Sequence, residues 1–184
     1  MNKFFLLIGL LGFSYVVNAQ SVKITEPEFS GNIVYVNDNI GEGLPLEVQR
    51  ISLQAKTNGA EWIPVVGIFA SKTKSKNRVH GCCSTLKIPK NSNIKFVIKV
   101  SDNSEDPTTF IKIFKLKSTK DNREIETSSG NIVGGITVGN INYTLFKAKK
   151  YGVSSYLIEI ESADPGEYAI TLESRPDIFN LFSI

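Results

Sequence analysis

The stretch YLIEIESADPGEYAITLE, residues 156–173, determines the fold class of this chain. Apolar side chains recur at every second position on both sides of Asp164-Pro165-Gly166. Successive side chains of a β-strand point to opposite faces, so a two-residue period is typical of strands. Proline presets φ for a turn, and glycine tolerates a positive φ. The stretch therefore predicts two strands, 156–160 and 168–172, joined as a β-hairpin.

The same period recurs along most of the chain, and no window holds a sustained helical period. Further predicted strands are residues 22–25, 32–36, 44–54, 62–69, 84–88, 94–100, 110–117, 141–148 and 178–184. Short strands separated by turn signals predict an all-β fold. We expect an antiparallel two-sheet β-sandwich, with a closed or partly open β-barrel as the alternative.

The predicted strand 44–54 contains a change of phase. Leu46 and Val48 share one face, whereas Ile51 and Leu53 share the other. A shift by one residue exchanges the two faces of a strand unless a bulge absorbs it. We therefore expect a bulge near residues 49–50.

Two other strands carry predictions about their place in a sheet. Residues 110–117 have apolar side chains on both faces, which indicates a central strand covered on both sides. Pro64 and Gly67 interrupt 62–69, which indicates an edge strand or a bend. The polar run 101–108 predicts a long loop.

Residues 1–19 have the pattern of a cleaved export signal. Lys3 gives a positive start, residues 4–17 form a charge-free and mostly apolar run, and Ala19 is a small residue at the cleavage point. This run is shorter than the ~20 residues of a membrane-spanning helix, so we expect no transmembrane segment. The prediction is a soluble exported protein, periplasmic or extracellular, with residues 20–184 folded as a single β-sandwich domain.

The composition predicts a folded domain without a strong attraction to polyanions. Aromatic residues make up 10% of the chain and charged residues 21%, which argues against disorder. Loss of Lys3 with the signal lowers the formal charge from +3 to +2. A charge so near zero argues against nucleic-acid binding. We expect no cofactor.

Cys82 and Cys83 are the chemically unusual pair of this sequence. An oxidising compartment favours disulfides, but adjacent cysteines bond only by closing an eight-membered ring with a short Cα separation. The main expectation is therefore two free side chains on opposite faces, at least one of them buried. A disulfide between the two neighbours and an intermolecular disulfide are the alternatives.

His80 lies two residues before Cys82 and would share its face of a strand. Zinc or copper needs three or four well-placed ligands, and the chain has 1 His and 2 Cys. We therefore predict no metal site. Nothing around the serines resembles a nucleophile elbow, and we predict no catalytic residue.

Paired carboxylates are the least excluded enzymatic arrangement. Glycoside hydrolysis uses two carboxyl groups about 5–10 Å apart and needs no histidine. Asp102, Glu105, Asp106 and Asp164 are the available groups, and all of them lie in predicted turns, which favour Asp for conformational reasons.

Trp62 and Tyr151 are the predicted ligand-binding residues. Exposed aromatic rings can stack on sugars, although most aromatic side chains of a two-sheet protein fill its core. Trp62 and Tyr151 lie next to breaks or turns, where a ring is most readily left at the surface.

The segment Asp164-Pro165-Gly166-Glu167-Tyr168-Ala169 resembles a Pro-Gly-x-Tyr hairpin of uncharacterised secreted β-sandwich proteins from Gram-negative bacteria. In those modules the tyrosine closes the core beside the turn. The specific likeness covers residues 164–172. It implies a β-sandwich fold and carries no catalytic residues.

The predicted function is a binding or interaction module of the cell envelope, whose partner is a glycan, a peptide or another envelope protein. One alternative is a carboxylate-based hydrolase. The other is a structural subunit that assembles through sheet edges. An unpaired apolar edge at residues 178–184 would favour such assembly. The other expectation for these residues is a final strand paired within its own sheet, which would not favour assembly.

Overall fold

The computed structural model describes residues 24–57, 63–64, 72–90, 93–131, 135–138 and 141–184. Strands dominate these residues, and one short helix, α1 (Pro107–Phe110), accompanies them. In chain order the strands are β1 (Ile33–Asn37), β2 (Glu42–Pro45), β3 (Glu47–Arg50), β4 (Ser52–Thr57), β5 (Ile63–Pro64), β6 (Lys72–His80), β7 (Ile94–Lys99), β8 (Ile111–Ser118), β9 (Asn122–Asn131), β10 (Gly135–Val138), β11 (Lys147–Tyr151), β12 (Ser155–Ile160), β13 (Glu167–Leu172) and β14 (Arg175–Ser183).

These strands form two antiparallel sheets. The small sheet has the order β11-β12-β7-β1-β2, and the large sheet has the order β3-β14-β13-β8-β9-β6-β4-β5, with β10 paired to β9. Because β3 and β4 follow each other in the chain, the large sheet curls until it nearly closes. The predicted all-β, two-sheet antiparallel fold is confirmed, and the large sheet has the barrel-like curvature of the alternative.

The main hydrophobic core lies between the two sheets. Phe96, Ile98 and Ile158 of the small sheet are fully buried there. Ile113 and Ile170 of the large sheet face the same core. Full burial of one such side chain contributes about 1.5–3 kcal/mol, so this layer is the main source of stability.

A second core fills the inside of the curled large sheet. Its buried members are Val79, Phe114, Leu116, Ala169, Phe179 and Leu181. Neighbouring residues of one strand serve different cores: Ile170 faces the small sheet and Ala169 faces the second core. Strands β8, β13 and β14 are thus covered on both faces, which explains their apolar runs. The predicted central position of residues 110–117 is confirmed, since β8 lies between β13 and β9.

The predicted hairpin of 156–160 with 168–172 is wrong. Both strands exist, but β12 pairs with β11 and β7, whereas β13 pairs with β8 and β14. Residues 161–166 therefore cross from the small sheet to the large one. The Tyr168 hydroxyl donates a hydrogen bond to the Asp164 carbonyl oxygen at 2.6 Å and fixes this corner. Pro-Gly chemistry suits a hairpin and a corner equally, so the local sequence does not distinguish them.

The predicted strand 44–54 is three strands. β2 belongs to the small sheet, β3 and β4 belong to the large sheet, and pairing breaks at Ile51, whose N–H donates to the Asp177 carbonyl oxygen at 2.9 Å. The change of phase is thus absorbed by a break rather than by a bulge at 49–50. Val48 and Leu53 point to solvent as a result.

Other elements depart from the predictions in smaller ways. Residues 107–110 form α1, whose four residues are far fewer than a membrane-spanning helix needs; no other helix occurs in the described part of the chain. Residues 84–88 make a single bridge, between Lys87 and Ser183, instead of a strand. Among the described strands β5 ends the order of the large sheet, in agreement with the edge position expected from Pro64. Residues 22–23, 62 and 65–69 lie outside the described residues.

The strand at 178–184 is not an unpaired edge. β14 lies between β13 and β3 and is hydrogen-bonded to both, so the expectation of a strand inside its own sheet is confirmed. This segment therefore gives no support to assembly through an exposed apolar edge.

Replacing Tyr168 by Phe tests the corner. We expect a loss of about 0.5–1.5 kcal/mol in the free energy of unfolding, because one hydrogen bond across the crossover disappears while the buried ring stays. Urea unfolding followed by circular dichroism measures the loss. Tyr143→Phe is the matched control, since that side chain is 51% exposed, and it is expected to change stability by less than about 0.5 kcal/mol. Equal effects of both variants would contradict the role of Asp164.

Candidate functional site

An open groove runs between residues 142–147 and residues 161–164, and we call it the Tyr143 groove. Its cavity volume is about 710 Å³. Lys115 and Tyr168 of the large sheet also line it. Ligand sites in proteins are commonly clefts of about 300–1,000 Å³ with a few polar groups among apolar ones, so both its size and its lining suit a small ligand.

Backbone pairing holds the outer wall of the groove in place. The Thr144 N–H donates to the Ile113 carbonyl oxygen at 2.7 Å, and Tyr143 forms a bridge with Phe114 of β8. Within the described residues, β9 pairs with β8 at Lys117 and Ser118 alone. The rest of that edge of β8 is thereby left for residues 143–144, which anchors the wall to the large sheet.

Two apolar side chains stand exposed on this wall. The Tyr143 ring is 51% exposed and Leu145 is 88% exposed. The ring meets Phe114 edge-on with a centroid distance of 6.3 Å, and the Lys112 Nζ lies 5.8 Å from the ring centroid. Lys112 thus lies over the ring and Phe114 packs against it, while the residue as a whole stays half exposed. A fixed aromatic surface is thus available to a ligand.

Charged groups of both signs surround the ring. Lys147 pairs with Glu161, and this hydrogen bond raises the pKa of Lys147. Lys115 lies with its Nζ 5.9 Å from the centroid of Tyr168, and Asp164 completes the charged lining. Among the residues that line the groove, two ammonium groups and two carboxylates balance, and Lys112 adds a third ammonium group beside the Tyr143 ring.

The carboxylates considered for hydrolysis lie in two places. Asp102 and Glu105 line a second cleft of about 370 Å³ together with Glu173, whereas Asp164 lines the Tyr143 groove. Asp102 accepts hydrogen bonds from the backbone N–H of Ser104 at 3.1 Å and from its hydroxyl at 2.5 Å. Such bonds are typical of a carboxylate that shapes its own turn.

Asp106 serves as the N-cap of α1. Its carboxylate accepts from the Thr108 N–H at 2.9 Å and from the Thr108 hydroxyl at 2.8 Å, and these bonds lower the pKa of Asp106. A general acid needs a raised pKa, so Asp106 does not have the character of one. Asp102 and Glu105 share the second cleft, where Asp102 is bonded within its own turn, and a hydrolase stays a prediction.

Cys82 and Cys83 are joined to each other by a disulfide. The main expectation of two free cysteine side chains is therefore wrong, and the alternative, a disulfide between the two neighbouring residues, is the one found. Cys83 is exposed and Cys82 is half-buried. His80 points its side chain to the surface, and the described residues contain no group of three His, Cys, Asp or Glu side chains that could hold a metal ion.

A buried arginine supports the loop that follows β6 and carries Cys82 and Cys83, which we call the cysteine loop. The Arg123 side chain is 0% exposed. Its Nε donates to the Gly81 carbonyl oxygen at 3.0 Å and its Nη2 donates to the His80 carbonyl oxygen at 3.0 Å. Its Nη1 donates to the Ser84 hydroxyl at 2.7 Å. Sequence reasoning missed this residue, because its partners come from distant segments.

Two carboxylates balance the buried guanidinium. Glu47 Oε1 lies 2.7 Å from Arg123 Nη2, and Glu167 Oε2 lies 3.5 Å from Nη1. Burial alone would raise the pKa of Glu47, but the hydrogen bond from Arg123 and those from Gln49 and Thr85 lower it below its usual value. The buried guanidinium thus has a hydrogen-bonded carboxylate partner in Glu47, as a buried charge requires.

Of the two predicted ligand-binding residues, Tyr151 is half-buried and Trp62 lies outside the described residues. The Tyr151 hydroxyl donates to the Ile24 carbonyl oxygen, and burial raises the pKa of this hydroxyl. Its ring packs on the outer face of the small sheet with Ile24, Val36 and Val97. Tyr151 thus anchors residue 24 to the sheet and leaves little of its ring for a ligand.

Glu26 fastens the same N-terminal segment to the turn between β11 and β12. Its carboxylate accepts from Lys99 Nζ at 2.7 Å, from the Ser155 hydroxyl at 2.7 Å and from the Val153 N–H at 2.5 Å. These bonds lower the pKa of Glu26 from 4.5 to about 2. Gly152 has φ of +57° at this turn, and a Cβ there would lie 1.6 Å from Glu26 Oε1.

Comparison of the chain with protein-family models, with curated proteins and with solved structures found no match. The likeness of residues 164–172 to secreted β-sandwich modules stays a prediction.

Glu26→Gln tests the carboxylate at the β11–β12 turn. The folded-state pKa lies below the unfolded value, so the stabilisation is complete above pH 4.5 and is lost as the pH falls toward about 2. We expect the variant to be less stable by about 1–3 kcal/mol at pH 7, and the gap to wild type to shrink below pH 4.5. Urea unfolding at pH 7, 4 and 3 measures the difference in the free energy of unfolding between the variant and the wild type. Glu28→Gln, at an exposed position, is the control, and a gap as large at pH 3 as at pH 7 would contradict the assignment.

Arg123→Met tests the buried cluster. Loss of the guanidinium leaves Glu47, Glu167 and two backbone carbonyl groups without their partner, so we expect a loss of about 3–5 kcal/mol in the free energy of unfolding. Chemical denaturation measures the change. Arg50→Met is the matched control, because the Arg50–Asp177 pair is exposed, and it is expected to cost less than about 1 kcal/mol. Similar losses in the two variants would show that burial of Arg123 does not matter.

Proposed function

We propose that this chain is an exported binding module that holds an uncharged glycan in the Tyr143 groove. The observation that carries the proposal is the exposed Tyr143 ring, fixed by Phe114 and by backbone pairing to β8 at the wall of an open groove. The pattern of residues 1–19 supports export.

The surroundings of the ring favour a sugar over the other predicted partners. A sugar presents an apolar face of C–H groups, which suits an aromatic ring, and a rim of hydroxyl groups, which suits carboxylates, amides and ammonium groups. Glu161, Asp164 and Lys147 supply that second set of groups, and Asn142 adds an amide. The balanced charge of the groove favours a ligand without net charge.

Tyr143→Ala tests this proposal. Loss of the ring is expected to weaken binding about three- to tenfold, which corresponds to about 0.7–1.4 kcal/mol. The stability of the protein is expected to change little, because the side chain is half exposed. A neutral-glycan array identifies a ligand, and isothermal titration then compares the wild type with the variant.

Val153→Ala is the matched control, since Val153 is an exposed apolar residue (87%) that does not line the groove. It is expected to bind as the wild type does. Retention of the protein by peptides and not by glycans, with the same dependence on Tyr143, would overturn the sugar assignment. Glycan binding that is unchanged in Tyr143→Ala would overturn the groove as the site.

A further inference from the structure

We propose that the Cys82–Cys83 disulfide is a thiol–disulfide exchange site, which takes two electrons from an external dithiol while the fold stays intact. The assignment rests on the exposure of the cysteine residues and on hydrogen bonds that hold the backbone on both sides of the disulfide. None of the residues that line the Tyr143 groove belongs to the cysteine loop, so the proposal stands independently of glycan binding.

The disulfide is accessible to a reductant. Cys83 is exposed and Cys82 is half-buried, in the loop that follows β6. Exchange begins when a thiolate attacks one sulfur of a disulfide, so the rate depends on access to that sulfur. The geometry indicates attack at Cys83, with Cys82 as the leaving group.

The backbone on the N-terminal side of the disulfide is held by hydrogen bonds that do not involve sulfur. The Gly81 N–H donates to the Asp121 carbonyl oxygen at 2.8 Å, and the Ser118 hydroxyl donates to the Cys82 carbonyl oxygen at 2.6 Å. The buried Arg123 holds the carbonyl groups of His80 and Gly81. These bonds remain when the disulfide opens.

The backbone on the C-terminal side of the disulfide is also held by hydrogen bonds that do not involve sulfur. Glu167 accepts from the Ser84 N–H at 2.9 Å and from the Ser84 hydroxyl at 2.5 Å, and Glu47 accepts from the Thr85 N–H at 3.0 Å. Because both ends of the loop are fixed, the two thiols of the reduced form stay next to each other. The reduced pair is therefore ready to close again, and neither direction requires unfolding.

The exchange between the external dithiol and the cysteine pair takes place in two steps. A thiolate of the external dithiol attacks Cys83 Sγ, the Cys82–Cys83 bond breaks, and Cys82 leaves as a thiolate that takes up a proton. The second thiol of the reductant, as its thiolate, attacks the external sulfur of the mixed disulfide and releases Cys83, which is protonated in turn. The reductant becomes a disulfide, and the cysteine pair gains two electrons and two protons.

The test treats the folded mature chain with dithiothreitol, without denaturant, and then traps thiols with N-ethylmaleimide for intact-mass spectrometry. We expect both cysteines to be labelled together, and oxidised dithiothreitol to close the pair again. Circular dichroism is expected to stay unchanged throughout. Reduction that requires urea, or a folded chain whose two thiols do not close under the oxidant, would overturn the proposal.

Single variants test which of the two sulfurs is the more accessible. Oxidised glutathione is expected to form a mixed disulfide with Cys83 in Cys82→Ser about tenfold faster than with Cys82 in Cys83→Ser, because Cys83 is the more exposed residue. Labelling of the double variant Cys82→Ser/Cys83→Ser gives the background. Equal rates in the two single variants would overturn the premise that Cys83 is the more accessible sulfur, and with it the assignment of Cys83 as the attacked one.

Discussion

The burial of the Arg123 guanidinium constrains much of the large sheet. An isolated buried charge is unfavourable by several kcal/mol, so a fully buried arginine requires partners on every side. Those partners come from β3 (Glu47), from β13 (Glu167), and from the end of β6 (His80) with the loop after it (Gly81 and Ser84). One side chain of β9 thereby specifies how four separate segments meet. The cysteine loop has a fixed shape because it lies inside this cluster.

The two cores depend on a layer of strands that is apolar on both faces. β8, β13 and β14 contribute alternate residues to the space between the sheets and to the inside of the large sheet. Phe182 packs against Phe96 of the small sheet, and Phe179 packs against Phe114 on the other side. A substitution in this layer therefore affects one core directly and the other through the shared strand.

The alternation of residues was sufficient to predict strands but not their partners. The predicted strands 156–160 and 168–172 agree with β12 and β13, yet the two belong to different sheets. Alternation identifies the buried face of a strand, and a Pro-Gly turn identifies a change of direction. Neither identifies the sheet that the chain enters next.

The sites were less predictable than the strands, for the same reason. Glu47, Arg123 and Glu167 are distant in sequence, and no recognisable spacing links them. Tyr143 was expected inside a strand, and its exposure arises because β9 leaves the edge of β8 free for residues 143–144. Tyr151 was expected at the surface, but its hydroxyl is used by the backbone of Ile24. Each outcome depends on tertiary contacts.

The position of β14 has a consequence for the order of folding. β3 lies early in the described chain, but its described pairing partner is β14, the last of the described strands. Neither core is complete until Phe179, Leu181 and Phe182 arrive. Pairing between such distant segments slows folding, because a long loop must close before the contacts form. Completion of the two cores is therefore a single event, the pairing of β14 with β13 and β3.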